Sequence, residues 1–264
     1  MTHRPRKRFG QNFLHDPAII DAIIDTVDAS PATTVVEIGP GLGALTLPLL
    51  ETGCDLHIIE LDRDLVMRWE SQQEKFPHLT VHQGDALKFD FDHLAPDHTL
   101  HLVGNLPYNI STPLLFHFLR FSQRFEVLHV MLQKEVAERI CAPPGSKTYG
   151  RLSVMLAVHF ASELLFEIPP HAFTPAPKVT SAFLRLQPRQ AGTHGIIDAN
   201  VFATLVRQAF SQRRKTLGKS LRGLLDRTDF EMCDIDPCLR PEALPVDAFV
   251  QLANRLTQKP DTCH

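Results

Sequence analysis

The feature that most constrains the fold of this 264-residue chain is a glycine-rich turn between an apolar run and a helical pattern. The run Thr33–Ile38 is rich in β-branched residues and predicts a strand. It leads into the turn Gly39-Pro40-Gly41-Leu42-Gly43, and Leu45–Leu50 continues with helical spacing. Glycines between a strand and a helix allow tight turning and let a ligand approach the backbone. We therefore predict a strand–turn–helix unit of the kind that builds parallel α/β sheets.

Apolar runs and helical patterns alternate along the chain after this unit. The further predicted strands are Leu56–Leu61, Leu79–His82, Leu100–Val103 and Val127–Leu132. Helical spacing is found in Asp16–Ala29, Pro113–Leu119 and Lys134–Cys141. The alternation predicts an α/β fold with a Rossmann-like, parallel, doubly wound sheet, in which ligands bind at the carboxyl ends of the strands. Two later runs, Leu164–Ile168 and Ala182–Leu186, predict a strand pair added at the sheet edge.

The pattern changes after about Pro188, where helical spacing continues without strand signals. The helices predicted there are Asp198–Ser211, Arg213–Leu225 and Val246–Leu256. We therefore predict two domains, a Rossmann-like catalytic domain at residues 1–190 and a small all-helical domain at residues 191–264.

Composition excludes several classes of protein. Hydrophobic residues make up 44% and charged residues 22%, which is typical of a folded soluble chain. No uninterrupted apolar run approaches the roughly 20 residues of a membrane helix, so a cytoplasmic location is the expectation. Five cysteines without a C-x-x-C pair favour reduced thiols, and we expect no metal. A zinc site drawn from Cys233, Cys238, Cys263 and His264 is the weaker alternative, because the ligand spacing is poor.

Polar residues at the predicted strand ends point to a nucleotide-like cofactor. Gly39 and Gly41 fit both a dinucleotide site and an S-adenosylmethionine site. Glu60 ends the second predicted strand, where a carboxylate can accept ribose hydroxyls. Asp85 ends the third strand, where it can accept a hydrogen bond from the cofactor adenine. Glu37 favours S-adenosylmethionine, since a dinucleotide fold usually has an apolar residue there. A helix cap at Asp85 and a solvated acid at Glu60 are the alternatives.

The segment Asn105-Leu106-Pro107-Tyr108 follows the fourth predicted strand and predicts a clamp for adenine. The side-chain oxygen of Asn105 and the backbone carbonyl of Leu106 can accept both N6 hydrogens and expose the nitrogen lone pair. Pro107 stiffens the segment, and Tyr108 offers a flat face for the base. Phe173 is predicted to stack on the other face. The target base has to leave its helix or loop to enter such a site. The alternative is a turn that ends at proline.

With these motifs the chain resembles the ribosomal RNA adenine dimethyltransferase family, over residues from about Arg6 to about Leu256. Four further segments carry the resemblance. They are Arg6–Leu14, Met131–Val136, Tyr149–Ser153 and Ala209–Thr216. The resemblance implies a class I methyltransferase sheet that uses S-adenosylmethionine as the methyl donor.

The resemblance also implies which residues hold the cofactor and which RNA is modified. Asn12 and Leu14 would contact the cofactor together with Gly39, Gly41, Glu60, Asp85 and Asn105. Gln11 and Asn12 would fold over its methionine end as a lid. The reaction would be dimethylation of two adjacent adenines near the 3′ end of 16S ribosomal RNA, in an assembling small subunit. Nothing in the sequence requires an oligomer, so a monomer is the expectation.

A basic segment in the predicted helical domain is a candidate RNA contact. The formal net charge is -3, yet no acidic residue lies between Asp198 and Asp226. The predicted RNA-binding residues in this stretch are Arg213, Arg214, Lys215, Lys219 and Arg222. Local potential governs attraction to phosphate more than net charge does. A solvated helix face is the alternative interpretation.

Three other functions compete with this one. A large-subunit methyltransferase of the macrolide-resistance type shares the clamp, but Tyr149–Arg151 and the Gln-Arg-Arg-Lys segment favour the small-subunit type. An NAD-dependent oxidoreductase would need a proton relay such as Tyr-x-x-x-Lys, and the only tyrosines are Tyr108 and Tyr149. A ribosome-assembly factor without essential catalysis would not need an intact clamp.

Overall fold

The computed structural model describes residues 11–212 and 214–259, which fall into two compact units. The first unit takes in the chain up to Ala137 together with Ala161–Pro188. The second takes in Glu138–Phe160 together with the chain from Arg189 onward. The predicted division after residue 190 lies close to the last change of unit, between Pro188 and Arg189. The sequence pattern assigns Glu138–Phe160 to the first domain, whereas the structure groups this segment with the second unit. The two functional domains themselves stay a prediction.

The strands of the described residues form a main sheet and a short ribbon. They are β1 (Phe13–Leu14), β2 (Thr34–Ile38), β3 (Asp55–Glu60), β4 (Leu79–Gln83), β5 (Leu100–Asn105), β6 (Phe125–Gln133), β7 (Phe160–Ile168), β8 (Phe173–Thr174) and β9 (Ser181–Pro188). β1 and β8 pair antiparallel, and the other seven form one sheet in the order β4-β3-β2-β5-β6-β9-β7. Every strand predicted from the sequence is therefore present, with ends shifted by a few residues.

The helices of the described residues lie mostly where helical spacing predicts them. They are α1 (Pro17–Val27), α2 (Thr46–Glu51), α3 (Arg63–Glu70), α4 (Ser111–Leu119), α5 (Lys134–Ile140), α6 (Arg151–His159), α7 (Ala199–Ala209), α8 (Leu217–Ser220), α9 (Arg227–Met232) and α10 (Val246–Thr257). None of them is long and apolar enough to cross a membrane. The helices between the strands make the parallel connections of the sheet possible, because parallel strands need crossover segments.

Local chemistry sets the ends of the first helix. The side chain of Asp16 accepts a hydrogen bond from the N–H of Ala18 at 3.0 Å, and Pro17 occupies the first turn. Proline fits there because the first N–H groups of a helix have no partner within the helix. The helix ends at Asp28, whose φ is 50° and whose N–H donates to the carbonyl of Ile24. Ile23 and Val27 face the core of the first unit.

Sheet topology brings the predicted polar residues to one edge. β3 and β5 run parallel to β2 on its two sides, so the direction of strand succession reverses at β2. Ligands in open α/β sheets bind at such a reversal, outside the carboxyl ends of the strands. Gly104 allows the close approach there, because a Cβ on it would lie 2.9 Å from the carbonyl oxygen of Ile38. β9 pairs antiparallel with β6, and β7 follows β9 as the outermost strand, which confirms the predicted strand pair at the sheet edge.

In the second unit, one predicted helix is largely wrong. Within Arg213–Leu225 the structure has only the four-residue helix α8, followed by turns. Leu217, Leu221 and Leu225 are buried, which explains the helical spacing of the apolar residues. Gly223, however, has a φ of +90°, a left-handed conformation that interrupts a right-handed helix. Arg213 lies outside the described residues.

Candidate active site

A cavity of about 250 Å³ opens at the carboxyl ends of β2, β3, β4 and β5 in the first unit. Ten residues predicted for the cofactor or the clamp line it. They are Asn12, Leu14, Gly39, Gly41, Glu60, Asp85, Asn105, Leu106, Pro107 and Tyr108. Residues from five separate segments thus meet at one edge of the sheet, as the topology of a parallel sheet requires.

The glycine turn that follows β2 forms one wall of the cavity. Gly39, Gly41 and Gly43 have φ values of 67°, 55° and 100°, which disfavour residues with a side chain. A Cβ on Gly41 would lie 2.9 Å from the ring of Phe13, and one on Gly43 would lie 2.6 Å from the ring of Trp69. A Cβ on Gly39 would meet no atom within 4 Å. The backbone of Gly39 is therefore open to a ligand, whereas Gly41 and Gly43 leave room for the rings of Phe13 and Trp69 to pack against the turn.

Glu37 is a buried carboxyl at the end of β2. It is 2% exposed, and its Oε2 accepts a hydrogen bond from the hydroxyl of Thr46 at 2.7 Å. Burial is the main cause that raises the pKa of Glu37 to about 8; the hydrogen bond from Thr46 opposes the shift, and the nearby carboxylate of Glu60 adds to it. Thr46 was not singled out from the sequence, although it opens the helix that follows the glycine turn. This hydrogen bond connects the end of strand β2 to the first turn of helix α2.

Glu60 is held by backbone N–H groups at the end of β3. Its Oε1 accepts hydrogen bonds from the N–H groups of Leu61 and Asp62, both at 2.9 Å. Burial raises the pKa of this carboxyl, and the N–H groups of Asp62, Leu61 and Gly41 oppose the shift. A carboxylate has about four acceptor positions, so acceptor capacity remains for a ligand hydroxyl. The side chain is 7% exposed, which excludes the alternative of a solvated strand-end acid.

Asp85 lies just beyond β4, where it caps a turn and also lines the cavity. Its Oδ1 accepts a hydrogen bond from the N–H of Leu87 at 3.0 Å, so the carboxylate does cap the following turn. The residue also lines the cavity. The preceding Gly84 donates its N–H to the carbonyl of Glu60 at 2.9 Å, which keeps the end of β4 beside β3. A cap with one oxygen leaves the other oxygen of a carboxylate available to a ligand.

The N-terminal segment reaches the clamp directly. Its strand β1 pairs with β8, and the N–H of His15 donates to the carbonyl of Ala172 at 2.9 Å. The side-chain Nδ2 of Asn105 donates to the backbone carbonyl of Asn12 at 2.9 Å. Because an amide that donates through nitrogen presents its oxygen to the other side, this bond fixes the direction of the Asn105 acceptor.

The rest of the clamp is anchored to the sheet. The N–H of Leu106 donates to the carbonyl of Met131 in β6 at 3.1 Å, and the side chain of Leu106 is fully buried. Pro107 and Tyr108 begin a turn in which the N–H of Ile110 donates to the carbonyl of Pro107 at 3.0 Å. The turn interpretation and the clamp interpretation are thus compatible. Burial raises the pKa of Tyr108, so its hydroxyl stays protonated at neutral pH.

The predicted stacking role of Phe173 does not fit this arrangement. The side chain is only 2% exposed and packs in the core of the first unit, with Leu14 opposite it in the β1–β8 ribbon. It is not among the described residues that line the cavity. In this structure the ring of Phe173 contributes to the hydrophobic core of the first unit.

The predicted RNA-binding residues belong to the second unit, whereas the cavity is built from the first. The four that the structure describes, Arg214, Lys215, Lys219 and Arg222, are all exposed. No ion pair with another residue in 11–212 or 214–259 involves them. Arg213 and the basic residues at the N-terminus lie outside the described residues, and so do Cys263 and His264 of the alternative zinc site. A cationic surface without internal pairing is suited to phosphate contact.

Comparison with known proteins gives a consistent result. The family model of ribosomal RNA adenine dimethylase matches residues 2–258. A relative from Laribacter hongkongensis, ribosomal RNA small subunit methyltransferase A, is 52% identical over 259 residues, covering 97% of this chain and 98% of the relative. The protein of that name from Aromatoleum aromaticum is also 52% identical, covering 97% of this chain and 96% of the relative.

Solved structures confirm the predicted Rossmann-like fold of class I methyltransferases. A dimethyladenosine transferase from Plasmodium falciparum superposes with a TM-score of 0.79 at 26% identity, covering 91% of this chain and 95% of that chain. The 23S rRNA methyltransferase ErmE superposes with a TM-score of 0.70 at 24% identity, covering 94% of this chain and 100% of that chain. The second likeness bears on the fold alone.

Proposed function

The chain belongs to the ribosomal RNA adenine dimethylase family, and from this premise we propose that its substrate is the RNA of the small ribosomal subunit. As a member of that family it is an S-adenosylmethionine-dependent enzyme that methylates adenine in ribosomal RNA. Relatives that are about half identical over nearly their whole length carry the name small subunit methyltransferase. The proposed reaction is dimethylation at N6 of two adjacent adenines near the 3′ end of 16S RNA, by a monomer acting on an assembling subunit in the cytoplasm.

The residues of the cavity fit S-adenosylmethionine. The open backbone of Gly39 offers room where a side chain would obstruct, and Gly41 supports the turn behind it. Glu60 is proposed to accept the ribose hydroxyls with its remaining acceptor capacity. Asp85 is proposed to accept from the adenine amino group. Asn12 and Leu14 are proposed to contact the cofactor, and Gln11 and Asn12 to cover its methionine end; all three line the cavity.

The clamp is proposed to prepare the target nitrogen for attack. When bound, S-adenosylmethionine supplies a methyl group on a sulfonium, and its transfer to adenine N6 leaves a neutral thioether and releases one proton. Adenine N6 is a weak nucleophile, because its lone pair is delocalised into the ring. In the first of the two transfers, the side-chain oxygen of Asn105 and the carbonyl of Leu106 accept hydrogen bonds from the two N–H groups and draw N6 toward a tetrahedral geometry. Placement and electrostatics therefore do the work that a strong base would otherwise do.

Proton release needs no dedicated histidine in this scheme. None of the described residues that line the cavity is a histidine, although the chain has 14. The proton on N6 becomes acidic as the new carbon–nitrogen bond forms, so water is a sufficient acceptor. Tyr108 remains protonated and provides a flat face for the base, which enters after leaving its stack.

The observation that carries the proposal is the meeting of the open glycine turn and the Asn105–Tyr108 clamp in one cavity. The test is methyl transfer in vitro, with S-adenosylmethionine and small subunits that lack the modification, followed by mass spectrometry of the digested RNA. N6,N6-dimethyladenosine at two neighbouring positions supports the proposal. Modification of large-subunit RNA alone would contradict the proposed substrate and would favour a methyltransferase of the macrolide-resistance type. Tight binding to the ribosomal particle without methylation would contradict the proposed reaction and would favour an assembly factor.

A further inference from the structure

A serine from another part of the chain meets the hydroxyl of the clamp tyrosine. The Oη of Tyr108 and the Oγ of Ser181 lie 2.5 Å apart. Ser181 has no exposed surface, whereas Tyr108 is partly exposed and lines the cavity. The two residues are far apart in the chain, so the contact depends on the fold and not on local sequence.

Ser181 stands on a rigid element. It is the first residue of β9, opposite Gln133 in the antiparallel pair of β9 and β6. Immediately beside it, the N–H of Lys134 donates to the carbonyl of Thr180 at 2.9 Å. The next residues of the strand, Ala182 and Phe183, are fully buried. A hydroxyl on a paired, buried strand end holds its position more tightly than one on a loop does.

The backbone of Tyr108 is already restrained, but its ring is not. Its carbonyl accepts a hydrogen bond from the hydroxyl of Ser111 at 3.2 Å, and Pro107 limits the chain before it. The ring can still turn about its own side-chain bonds, since aromatic side chains have broad torsional wells at the second bond. A hydrogen bond to the Oη fixes the far tip of the ring and so limits rotation about the first side-chain bond. Because the O–H of a phenol prefers to lie in the plane of its ring, a partner on one side also favours one orientation of the ring plane.

We propose that Ser181 is a positioning residue for methyl transfer, which holds the ring of Tyr108 in the plane on which the target adenine stacks. This inference rests on the proposed function, because it assumes that Tyr108 receives the base. Ser181 itself does not line the cavity and takes no part in the chemistry. Its effect therefore belongs to the placement of the base, where small displacements of reacting groups lower turnover strongly.

The first test compares single and double removal of the two hydroxyl groups. Ser181→Ala is expected to lower kcat by about tenfold, while the Kd for S-adenosylmethionine changes by less than about twofold. Tyr108→Phe is expected to have a similar effect. The double variant is expected to be no slower than the slower single variant, because residues that act through one bond are not additive.

A matched serine separates positioning from stability. Ser153 is 1% exposed, and its hydroxyl donates to the carbonyl of Arg139 at 2.5 Å in the second unit. Ser153→Ala removes a buried hydroxyl with a bond of the same length, but it leaves the clamp untouched. It is expected to lower the unfolding midpoint and to keep kcat. Loss of kcat in proportion to stability in both serine variants would overturn the proposal.

A spectroscopic readout makes the test independent of turnover. The chain has two tyrosines, so labelling with 3-fluorotyrosine gives two fluorine resonances, and Tyr108→Phe identifies one of them. Ser181→Ala is expected to shift and broaden the Tyr108 resonance and to leave that of Tyr149 unchanged. An unmoved Tyr108 resonance together with wild-type kcat would refute the positioning role. Failure of the wild-type protein to methylate RNA would instead refute the proposed function.

Discussion

Asparagine suits position 105 because its side-chain amide has both a donor nitrogen and an acceptor oxygen. The amide nitrogen donates to the carbonyl of Asn12. The oxygen is the atom that we propose accepts from the base. Aspartate could accept in the same place, but it has no hydrogen to give to a backbone carbonyl. The N-terminal segment, which lines the cavity, therefore fixes the direction of the Asn105 oxygen that we propose acts in catalysis.

Replacing Asn105 separates these two roles. Asn105→Ala should lower kcat by about a thousandfold and change the Kd for S-adenosylmethionine by less than about tenfold, because its acceptor acts in the transition state. Asn105→Asp keeps an acceptor and loses the donor, so its kcat should fall between those of the wild type and the alanine variant. Single-turnover kinetics with calorimetry of cofactor binding measures both values. An aspartate variant as fast as the wild type would show that the bond to Asn12 has no role.

Glu37 should make the stability of the protein depend on pH in an unusual direction. Its pKa is about 8 in the folded chain against an ordinary 4.5, so the folded state binds the proton more tightly than the unfolded state does. Stability from this group is therefore present below about pH 4.5 and is lost as the pH rises toward 8. Glu37→Gln keeps an acceptor for Thr46 and cannot ionise.

Urea unfolding at about pH 5 and about pH 8.5 tests this prediction. The wild type should lose more unfolding free energy between these two values than Glu37→Gln does. The difference between the two proteins isolates this carboxyl from the histidines that titrate in the same range. Equal losses would mean that Glu37 ionises freely in the folded protein.

At the scale of elements, the glycine turn joins strand β2 to helix α2, and its glycines have different surroundings. Gly43 faces the ring of Trp69, whereas Gly39 faces open space at the cavity. Both have positive φ, so alanine is strained at either position. Only at Gly43 does the new methyl group also collide with a buried side chain.

Alanine at the two positions should therefore have different consequences. Gly43→Ala should destabilise the fold by about 3 kcal/mol or more, through strain together with overpacking. Gly39→Ala should cost about 1–2 kcal/mol of stability but weaken S-adenosylmethionine binding by about tenfold or more, because its methyl group enters the cavity. Thermal unfolding and calorimetry distinguish the two. A Gly39 variant with normal cofactor affinity would place the ligand elsewhere.

The elements that could be predicted from sequence are those with a strong local signal. The strand Thr34–Ile38 is buried at all five positions, because a parallel sheet is covered on both faces, and apart from Glu37 it consists of β-branched residues. The predicted helix at Arg213–Leu225 was wrong because buried leucines at helical spacing also occur in a chain of turns. Gly223, with its φ of +90°, was the available warning of a break.

The candidate site was predictable as a set of strand ends but not as a set of side-chain contacts. Glu60, Asp85 and Asn105 follow strands directly, so sheet topology brings them together. The contact between Ser181 and Tyr108 depends on how distant segments pack, which no local pattern encodes. The bond from Thr46 to Glu37 spans only nine residues but depends on the exact path of the glycine turn. Phe173 was misjudged for the same reason, since a phenylalanine near a site and one in the core look alike in sequence.

At the scale of the whole molecule, the uneven distribution of charge matters more than its sum. The chain has a net charge of -3, yet the segment between Asp198 and Asp226 contains six basic residues and no acidic one. Its described cations are exposed and are not paired with other described residues. An exposed group of this kind contacts phosphate and makes binding depend on salt.

Reversing Arg213, Arg214 and Lys215 to glutamate should weaken binding to the ribosomal particle. Each lost phosphate contact should lower the slope of binding against salt concentration by about one. The control is the reversal of Arg63, Lys75 and Arg120, exposed cations of the first unit that give the same change in net charge. Filter binding across salt concentrations measures the slopes. Equal effects of both triple variants would assign the attraction to overall charge and not to this segment.

The order of strands in the sheet has a consequence for folding during synthesis. β9 is the last strand of the main sheet to be made, yet it lies between β6 and β7. Until Ser181–Pro188 emerges during synthesis, the apolar strand β6 has one edge without its antiparallel neighbour. Bare apolar edges attract other chains. A nascent chain that stalls before β9 is therefore prone to aggregate, and the same late strand that closes the sheet also delivers Ser181 to the clamp.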